Sequence, residues 1–257
     1  MRDRGTGSAK VAVVTGGAGG IGRRTVERLL AADWTVWVLD LNAPTTAADA
    51  DVSRLHHARC DLRHSDEVID AFTRIATATE AIDALVCSAG VVKVGDLERT
   101  SIADAELMFA VNVMGPWLTI REGLPLLRRS ASSDDPARVV VVGSIAGIRP
   151  KVASGMYGAT KAALHVLAQV YAVELAPSGI TVNAVAPGTT NTGMSAAASE
   201  QGTDSGFRVS GPAPLGRIAE PDDIADAIMF LLGDQARFIN GVVLPVDGGT
   251  RAAYDNR

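Results

Sequence analysis

Six runs of β-branched, almost continuously apolar residues constrain the fold of this chain more than any other feature. They are VAVVT at 11–15, TVWVLD at 35–40, DALVCSAG at 83–90, RVVVVGS at 138–144, ITVNAVAPG at 180–188 and GVVLPVDGG at 241–249. A strand with one face in water alternates polar and apolar residues, whereas a run apolar at every position is covered on both faces, as in a parallel sheet between helices. A weaker strand is predicted at 55–60, before Asp61. Amphipathic stretches long enough for helices separate the runs, at 22–32, 66–78, 101–129, 154–176 and 221–233. Strand and helix in alternation predict an α/β fold built on a doubly wound parallel sheet. No internal repeat and no linker divides the chain, so residues 1–257 are expected to form a single domain. Two segments break the pattern, 42–53 and 193–214. The second, rich in Gly, Ser, Ala and Pro, is expected to be a lid.

Charge and composition exclude several classes. The 257 residues carry a net charge of −5, with 24 Lys and Arg scattered along the chain. No concentrated positive field is available for a phosphate backbone, so nucleic acid is not an expected partner. The polar start, MRDRGTGSAK, runs into an apolar stretch far too short for a signal peptide or a membrane span. A cytoplasmic protein with no membrane partner is expected. Cys60 and Cys87 each end an apolar segment and lack metal-ligand spacing, which reads as two small buried hydrophobes. His56 and His57 adjoin a loop without cysteine or carboxylate partners at ligand spacing, so no metal is expected.

Directly after the first strand comes Thr15-Gly16-Gly17-Ala18-Gly19-Gly20-Ile21-Gly22, followed by a helix beginning at Arg23 and Arg24. Two glycine spacings fit at once: G-x-G-x-x-G at 17, 19 and 22, and G-x-x-x-G-x-G at 16, 20 and 22. Glycines let the backbone turn tightly and approach a pyrophosphate, whose charge then sits at the positive end of the helix. Asp40 ends the second strand, 18 residues after Gly22. A carboxylate there accepts bonds from adenosine ribose hydroxyls and repels a 2′-phosphate, which favours NAD over NADP. No Arg or Lys lies within 16–22 and Leu41 follows Asp40, although Arg23 and Arg24 stand near enough to keep NADP open.

Tyr157 and Lys161 stand four residues apart in a predicted helix and share its face. An ammonium beside a phenol favours phenolate, turning a tyrosine into a usable base. Ser144 closes the preceding strand 13 residues upstream, at the carboxyl edge where open sheets bind ligands. His165, eight positions beyond Tyr157, is read as a helix-face residue with no catalytic role.

With these residues in place the chain resembles the short-chain dehydrogenase/reductase family over nearly its whole length. The resemblance rests on Thr15-Gly16 with Gly20 and Gly22, Asp61, Ala89-Gly90, Asn112, Ser144, Tyr157, Lys161, Pro187-Gly188 with Thr192, and Val246-Asp247-Gly248-Gly249. It implies a Rossmann fold and hydride transfer between nicotinamide C4 and a secondary alcohol or ketone. Ser144 would hold the substrate oxygen and Tyr157 would move its proton. Lys161 would bind the nicotinamide ribose and depress the tyrosine pKa. Asn112 would interrupt the helix at 101–129 and hold a water in the proton relay. Gly16, Gly19, Gly20, Ile21 and Gly22 would form the cofactor turn, with Ala89, Gly90, Pro187 and Gly188 also at the cofactor. Asp61 and Leu62 would meet the adenine, and Thr190 and Thr192 the carboxamide. One departure stands out: Cys87-Ser88-Ala89-Gly90 occupies the place of the family's Asn-Asn-Ala-Gly or Asn-Ala-Ala-Gly, so the asparagine bonds that brace the sheet must be made otherwise or lost.

Specificity must reside in 91–96, 145–156 and 189–214, which supply Val91, Val92, Ile145, Val152 and Met156 to a mostly apolar pocket, with two cations, Lys93 and Lys151. The pattern is similar to the 2,3-dihydro-2,3-dihydroxybenzoate dehydrogenase branch, in Phe109-Ala110-Val111-Asn112-Val113, Pro150-Lys151 and the stretch from Pro187 to Met194. That resemblance implies a cyclic hydroxy acid whose carboxylate meets a lysine. Alternatives are a 3-oxoacyl-carrier reductase and a non-catalytic cofactor-sensing protein. Finally, helix 161–175 is apolar around most of its circumference, more than one sheet face covers, so a homo-oligomer, dimer or tetramer, is expected.

Overall fold

The computed structural model describes residues 9–45, 52–201 and 211–253. Seven parallel strands form one sheet in the order β3-β2-β1-β4-β5-β6-β7. They are β1 (Val11–Thr15), β2 (Thr35–Asp40), β3 (Leu55–Arg59), β4 (Ala84–Cys87), β5 (Ala137–Val142), β6 (Ile180–Pro187) and β7 (Val243–Val246). The continuous apolar runs are explained by their burial: every residue of β4, β5 and β6 is buried.

Helices cover both faces. On one side α1 (Gly20–Ala31) packs against α7 (Pro221–Leu232), joining Val26, Leu29, Ile224 and Ile228 to Val14, Val38, Val86 and Val140 of the sheet. On the other, α2 (Ser65–Ala78), α4 (Gly115–Ser130) and α5 (Gly155–Leu175) press Ile75, Ile120 and Leu164 onto Val13, Leu85, Val139 and Val182. Each such fully buried aliphatic side chain stabilises the fold by about 1.5–3 kcal/mol. Two further helices complete the described set, α3 (Ile102–Phe109) and α6 (Gly193–Gln201). No helix among the described residues is long and apolar enough to cross a membrane.

Three local departures from the sequence pattern shape the site. The stretch 101–129 is not one helix: α3 runs into a π-helical turn at Ala110–Met114, which carries Asn112, and then into α4. β4 stops at Cys87 and β5 at Val142, so Ser88–Gly90 and Gly143-Ser144 continue past the sheet as loops at its carboxyl edge. The sheet order reverses between β1 and β4, which opens the crevice where ligands of such sheets bind. Of the expected lid at 193–214, Gly193–Gln201 forms α6, whereas 202–210 lies outside the described residues.

Candidate active site

A cavity of about 1780 Å³ runs along the carboxyl edge of the strands. At one end the β1–α1 turn is shaped by glycine. Gly16 has φ +69°, and a Cβ there would stand 2.6 Å from the Ala89 Cα; a Cβ on Gly22 would overlap the Gly16 carbonyl. Gly19, by contrast, faces open space, and as N-cap of α1 it makes no side-chain capping bond. The first-turn N–H groups of α1 therefore have no side-chain acceptor at that cap, the arrangement a pyrophosphate fits. A dinucleotide is accommodated by this cradle.

Asp40 lines the same end, accepting the Ala18 N–H at 3.0 Å and the Asn42 N–H at 3.0 Å. Arg24, near in sequence, is directed elsewhere: it binds Asp222 of α7 with two nitrogens and also pairs with Glu27. Arg23 lies 3.9 Å from Glu27, and neither arginine lines the cavity. Arg24 is thus engaged in the α1–α7 contact, and Arg23 pairs within α1. Asp61 and Leu62 also line this end. The Arg63 guanidinium grips both Asp61 oxygens and pulls that carboxyl down to about 2. Arg63 was not anticipated from the sequence, although its place two residues after Asp61 is a readable signal.

At the other end, Ser144, Tyr157 and Lys161 converge on the cavity wall. The Ser144 hydroxyl accepts the Ala146 N–H at 3.1 Å and is hydrogen-bonded to Tyr157. Burial pushes the Tyr157 phenol up to about 12, with the Ser144 bond pulling in the opposite sense. Burial pushes the Lys161 ammonium down to about 8; its Nζ donates to the Val142 carbonyl at 2.8 Å and lies 5.8 Å from the Tyr157 ring centre. Tyr157 and Lys161 meet because i and i+4 share a face of α5.

Asn112 is fully buried and does not line the cavity. Its amide donates to the Val91 carbonyl at 2.9 Å and to Thr160 Oγ1 at 3.1 Å, while its Oδ1 accepts the Val91 N–H at 2.9 Å. These bonds, with Ser88 N–H to the Thr15 carbonyl at 3.2 Å and Ala89 N–H to Thr15 Oγ1 at 3.3 Å, brace the loop after β4. The bracing that Ser88 cannot supply in place of an asparagine is thereby made by Thr15 and Asn112.

The remaining expected residues divide. Gly16, Gly19, Gly20, Ile21, Ala89, Gly90, Pro187, Gly188, Thr190 and Thr192 line the cavity, and Gly22 lies behind the turn. Ile145 and Lys151 line the substrate end, where burial lowers the Lys151 ammonium. Lys93 and Met156 do not line it: the Lys93 ammonium lies 3.4 Å from Asp104 of α3, and Met156 occupies the turn of α5 beside Tyr157 without reaching the wall. Arg149, unanticipated from the sequence, does line it, donating to the Thr250 carbonyl at 2.8 Å. Val91, Val92, Leu107 and Val111 supply an apolar wall. Met194 of α6 closes toward Gly90, its Cε 3.7 Å from where a Cβ would be.

Cys60 and Cys87 are buried, and burial pushes both thiols up to about 12. Among the described residues no three His, Cys, Asp or Glu are grouped so as to hold a metal ion.

Comparison with known proteins places this geometry in company. The family whose model matches residues 16–251 is described as enoyl-(acyl carrier protein) reductase. The chain is 34% identical over 262 residues to the vibriobactin-specific 2,3-dihydro-2,3-dihydroxybenzoate dehydrogenase of Vibrio cholerae, covering 97% of this chain and 98% of that one. Its fold superimposes on a 3-ketoacyl-(acyl-carrier-protein) reductase from Brucella melitensis complexed with NADH, with a TM-score of 0.84, 27% identity and coverage of 94% and 98%. It also superimposes on the Pseudomonas aeruginosa RhlG/NADP active-site complex, with a TM-score of 0.81, 30% identity and coverage of 98% and 100%.

Proposed function

This chain belongs to the short-chain dehydrogenase/reductase family, oxidoreductases that act on CH–OH groups with a nicotinamide cofactor, and we propose that it is an NAD-dependent dehydrogenase of a cyclic hydroxy acid of the 2,3-dihydro-2,3-dihydroxybenzoate type. The observation that carries the substrate class is the distribution of charge along the cavity. Its described acidic residues, Asp40 and Asp61, sit at the adenosine end, where the one described cation, Arg63, is paired with Asp61, whereas Arg149 and Lys151 sit beside Ile145 and Ser144 at the substrate end with no carboxylate among the described lining residues there. An apolar wall with cations at one corner suits a ring bearing a carboxylate. Preference for NAD rests on Asp40 and on the engagement of Arg24 with Asp222.

In this reading Ser144 holds the substrate oxygen and Tyr157, as phenolate, takes the hydroxyl proton. Lys161 favours that phenolate by its charge and holds the nicotinamide ribose. A bound nicotinamide supplies the hydride acceptor. Proton exchange with solvent passes by Asn112; both amide N–H groups of its side chain are engaged and its Oδ1 already accepts the Val91 N–H, so a relay water would meet the second lone pair of Oδ1 or the Asn112 backbone carbonyl. Gly16 to Ile21 hold the pyrophosphate, Asp61 and Leu62 the adenine, and Thr190 and Thr192 the carboxamide.

The whole chain acts as one dinucleotide-binding and catalytic domain, with α6 as part of a lid. Its place is the cytoplasm, where unpaired thiols such as Cys60 and Cys87 stay reduced. A second copy covers the face of α5 that leaves Val166 and Val173 59% and 76% exposed, giving a dimer or tetramer.

The test is turnover of ring acids and their neutral analogues with NAD and NADP. A carboxylate held by Lys151 through a charge-assisted bond is worth about 1.5–3 kcal/mol, or about ten- to over a hundredfold in kcat/KM. Lys151→Met is expected to cost the acid that factor and to spare the neutral analogue. Better turnover of neutral 3-oxoacyl thioesters than of any ring acid would move the assignment to a 3-oxoacyl-carrier reductase.

A further inference from the structure

His165 is packed beneath the turn that carries Ser144, and the proton transfer described above makes no use of it. It lies on α5, one turn beyond Lys161, and is 5% exposed. Its Nε2 stands 3.4 Å from the Ser144 backbone nitrogen, placed to accept that N–H. The turn itself is built around the ring. A Cβ on Gly143 would overlap Nε2, and one on Gly147 would stand 3.0 Å from Cε1 and 2.6 Å from the Ala162 nitrogen. Glycines at both ends of Gly143-Ser144-Ile145-Ala146-Gly147 thus leave room for the imidazole, and the helix and the turn touch through it. The last bond to the sheet is made by the Gly143 N–H, to the Val185 carbonyl of β6 at 2.8 Å, and the next N–H, that of Ser144, meets His165 Nε2 instead.

We infer that His165 is the positioning residue for Ser144: its Nε2 lone pair anchors the Ser144 backbone N–H and so fixes the direction in which the hydroxyl meets the substrate oxygen. The inference rests on the role given to Ser144 above. An acceptor at Nε2 requires a neutral ring with its proton on Nδ1. The surroundings enforce that form, since burial and the neighbouring Lys161 ammonium push the imidazole down to about 4. A protonated ring would set an N–H against the Ser144 N–H and a second cation beside Lys161.

Three variants and one spectrum test this. His165→Leu keeps the bulk and removes the acceptor; kcat is expected to fall about tenfold or more, with the Kd for NAD changed less than twofold, because loss of orientation acts on the chemical step. His165→Gln, which returns an acceptor near Nε2, is expected to recover most of that loss. In a Ser144→Ala background His165→Leu should cost nothing further, since the group it orients is gone. A leucine variant within twofold of wild type, a glutamine variant as poor as leucine, or losses that multiply in the double variant would overturn the inference. Where the leucine variant does not fold, the ¹⁵N ring spectrum of the wild-type protein decides: an unprotonated Nε2 with Nδ1–H supports the anchor, and a protonated Nε2 sinks it. Ser144→Ala with full activity would instead remove the role of Ser144 on which the inference stands; an impaired Ser144→Ala beside an unimpaired His165→Leu would fail the inference alone.

Discussion

At the adenosine end of the cavity Asp40 rests on two backbone N–H groups and Arg63 draws Asp61 down to about 2, whereas at the catalytic end burial pushes Tyr157 up to about 12 and Lys161 down to about 8. One sheet edge therefore treats charge in two ways. At the first end hydrogen bonds fix Asp40 in place and a partner cation holds Asp61 ionised, which suits binding that must not change during the reaction. The groups at the second end are stripped of water, so each is pushed toward its neutral form. A phenol raised to about 12 gives up its proton only where a neighbouring cation stabilises the phenolate, and the Lys161 ammonium is the cation placed to do so. The same contrast extends to His165, kept neutral behind Ser144, and to Lys151, lowered by burial on the substrate wall.

The largest expected effect separates the two ends outright. Tyr157→Phe keeps the ring in its buried slot and removes only the oxygen that carries the proton. Oxidation should fall by about a thousandfold, within the range general-base catalysis supplies, while NAD binds within twofold of wild type by fluorescence titration. The wild-type rate of alcohol oxidation should rise with pH between 6 and 9, because the phenol must lose its proton to act, and the residual rate of the phenylalanine variant should be flat over that range. A parallel loss of NAD binding would mean that the two ends are not separable and that Tyr157 is part of the cofactor site first.

A smaller effect is expected at the other end. Asp40→Ala removes the carboxylate that repels a 2′-phosphate, and the ratio of kcat/KM for NAD over NADP should shrink by about tenfold, chiefly through KM for NADP. The rate at saturating cofactor should barely change. Equal use of the two cofactors by the wild-type protein would overturn the NAD assignment; a fall in saturated rate would show that charge at Asp40 reaches the chemistry.

These ends were not equally legible in the sequence. Local signals carried the cofactor end, because a strand, a glycine turn, a helix and an acid follow one another within Val11 to Asp40. Tyr157 and Lys161 were legible for a similar reason, four residues apart on one helix. What the sequence did not record is where long side chains point once distant elements meet. Lys93 stands in a segment that borders the cavity but turns to Asp104 of α3, and Arg24 reaches 198 residues onward to Asp222. Arg149 was passed over because nothing in Ile148-Arg149-Pro150 distinguishes a wall residue from a solvated one. His165 was read as a helix face without function, since its partner is a backbone N–H just past the last bond to the sheet. The serine at position 88 looked like a missing brace until the loop after β4 proved to hang on Thr15 and Asn112.

The smallest effect tests whether the charge at the adenosine end is structural as well as functional. The Asp61 side chain is 8% exposed and the Arg63 side chain 49% exposed, so the pair is only partly shielded from water. A carboxyl whose pKa is lower in the folded chain than in the unfolded one adds stability above the unfolded value, near 4, and loses it as pH falls through the folded value. With Asp61 held at about 2, that window lies between pH 4 and 2. Allowing for screening of the exposed guanidinium, the contribution at neutral pH is about 1 kcal/mol. Arg63→Ala should therefore lower the urea midpoint slightly at pH 7, with the difference from wild type closing as pH is brought toward 2. Because the pair lies far along the cavity from Tyr157, the variant should keep its saturated turnover rate. A stability loss that persists undiminished at pH 2 would assign the Arg63 effect to packing of its aliphatic stem over Asp61 and Leu62. A fall in turnover would join the two ends that the first substitution is expected to separate.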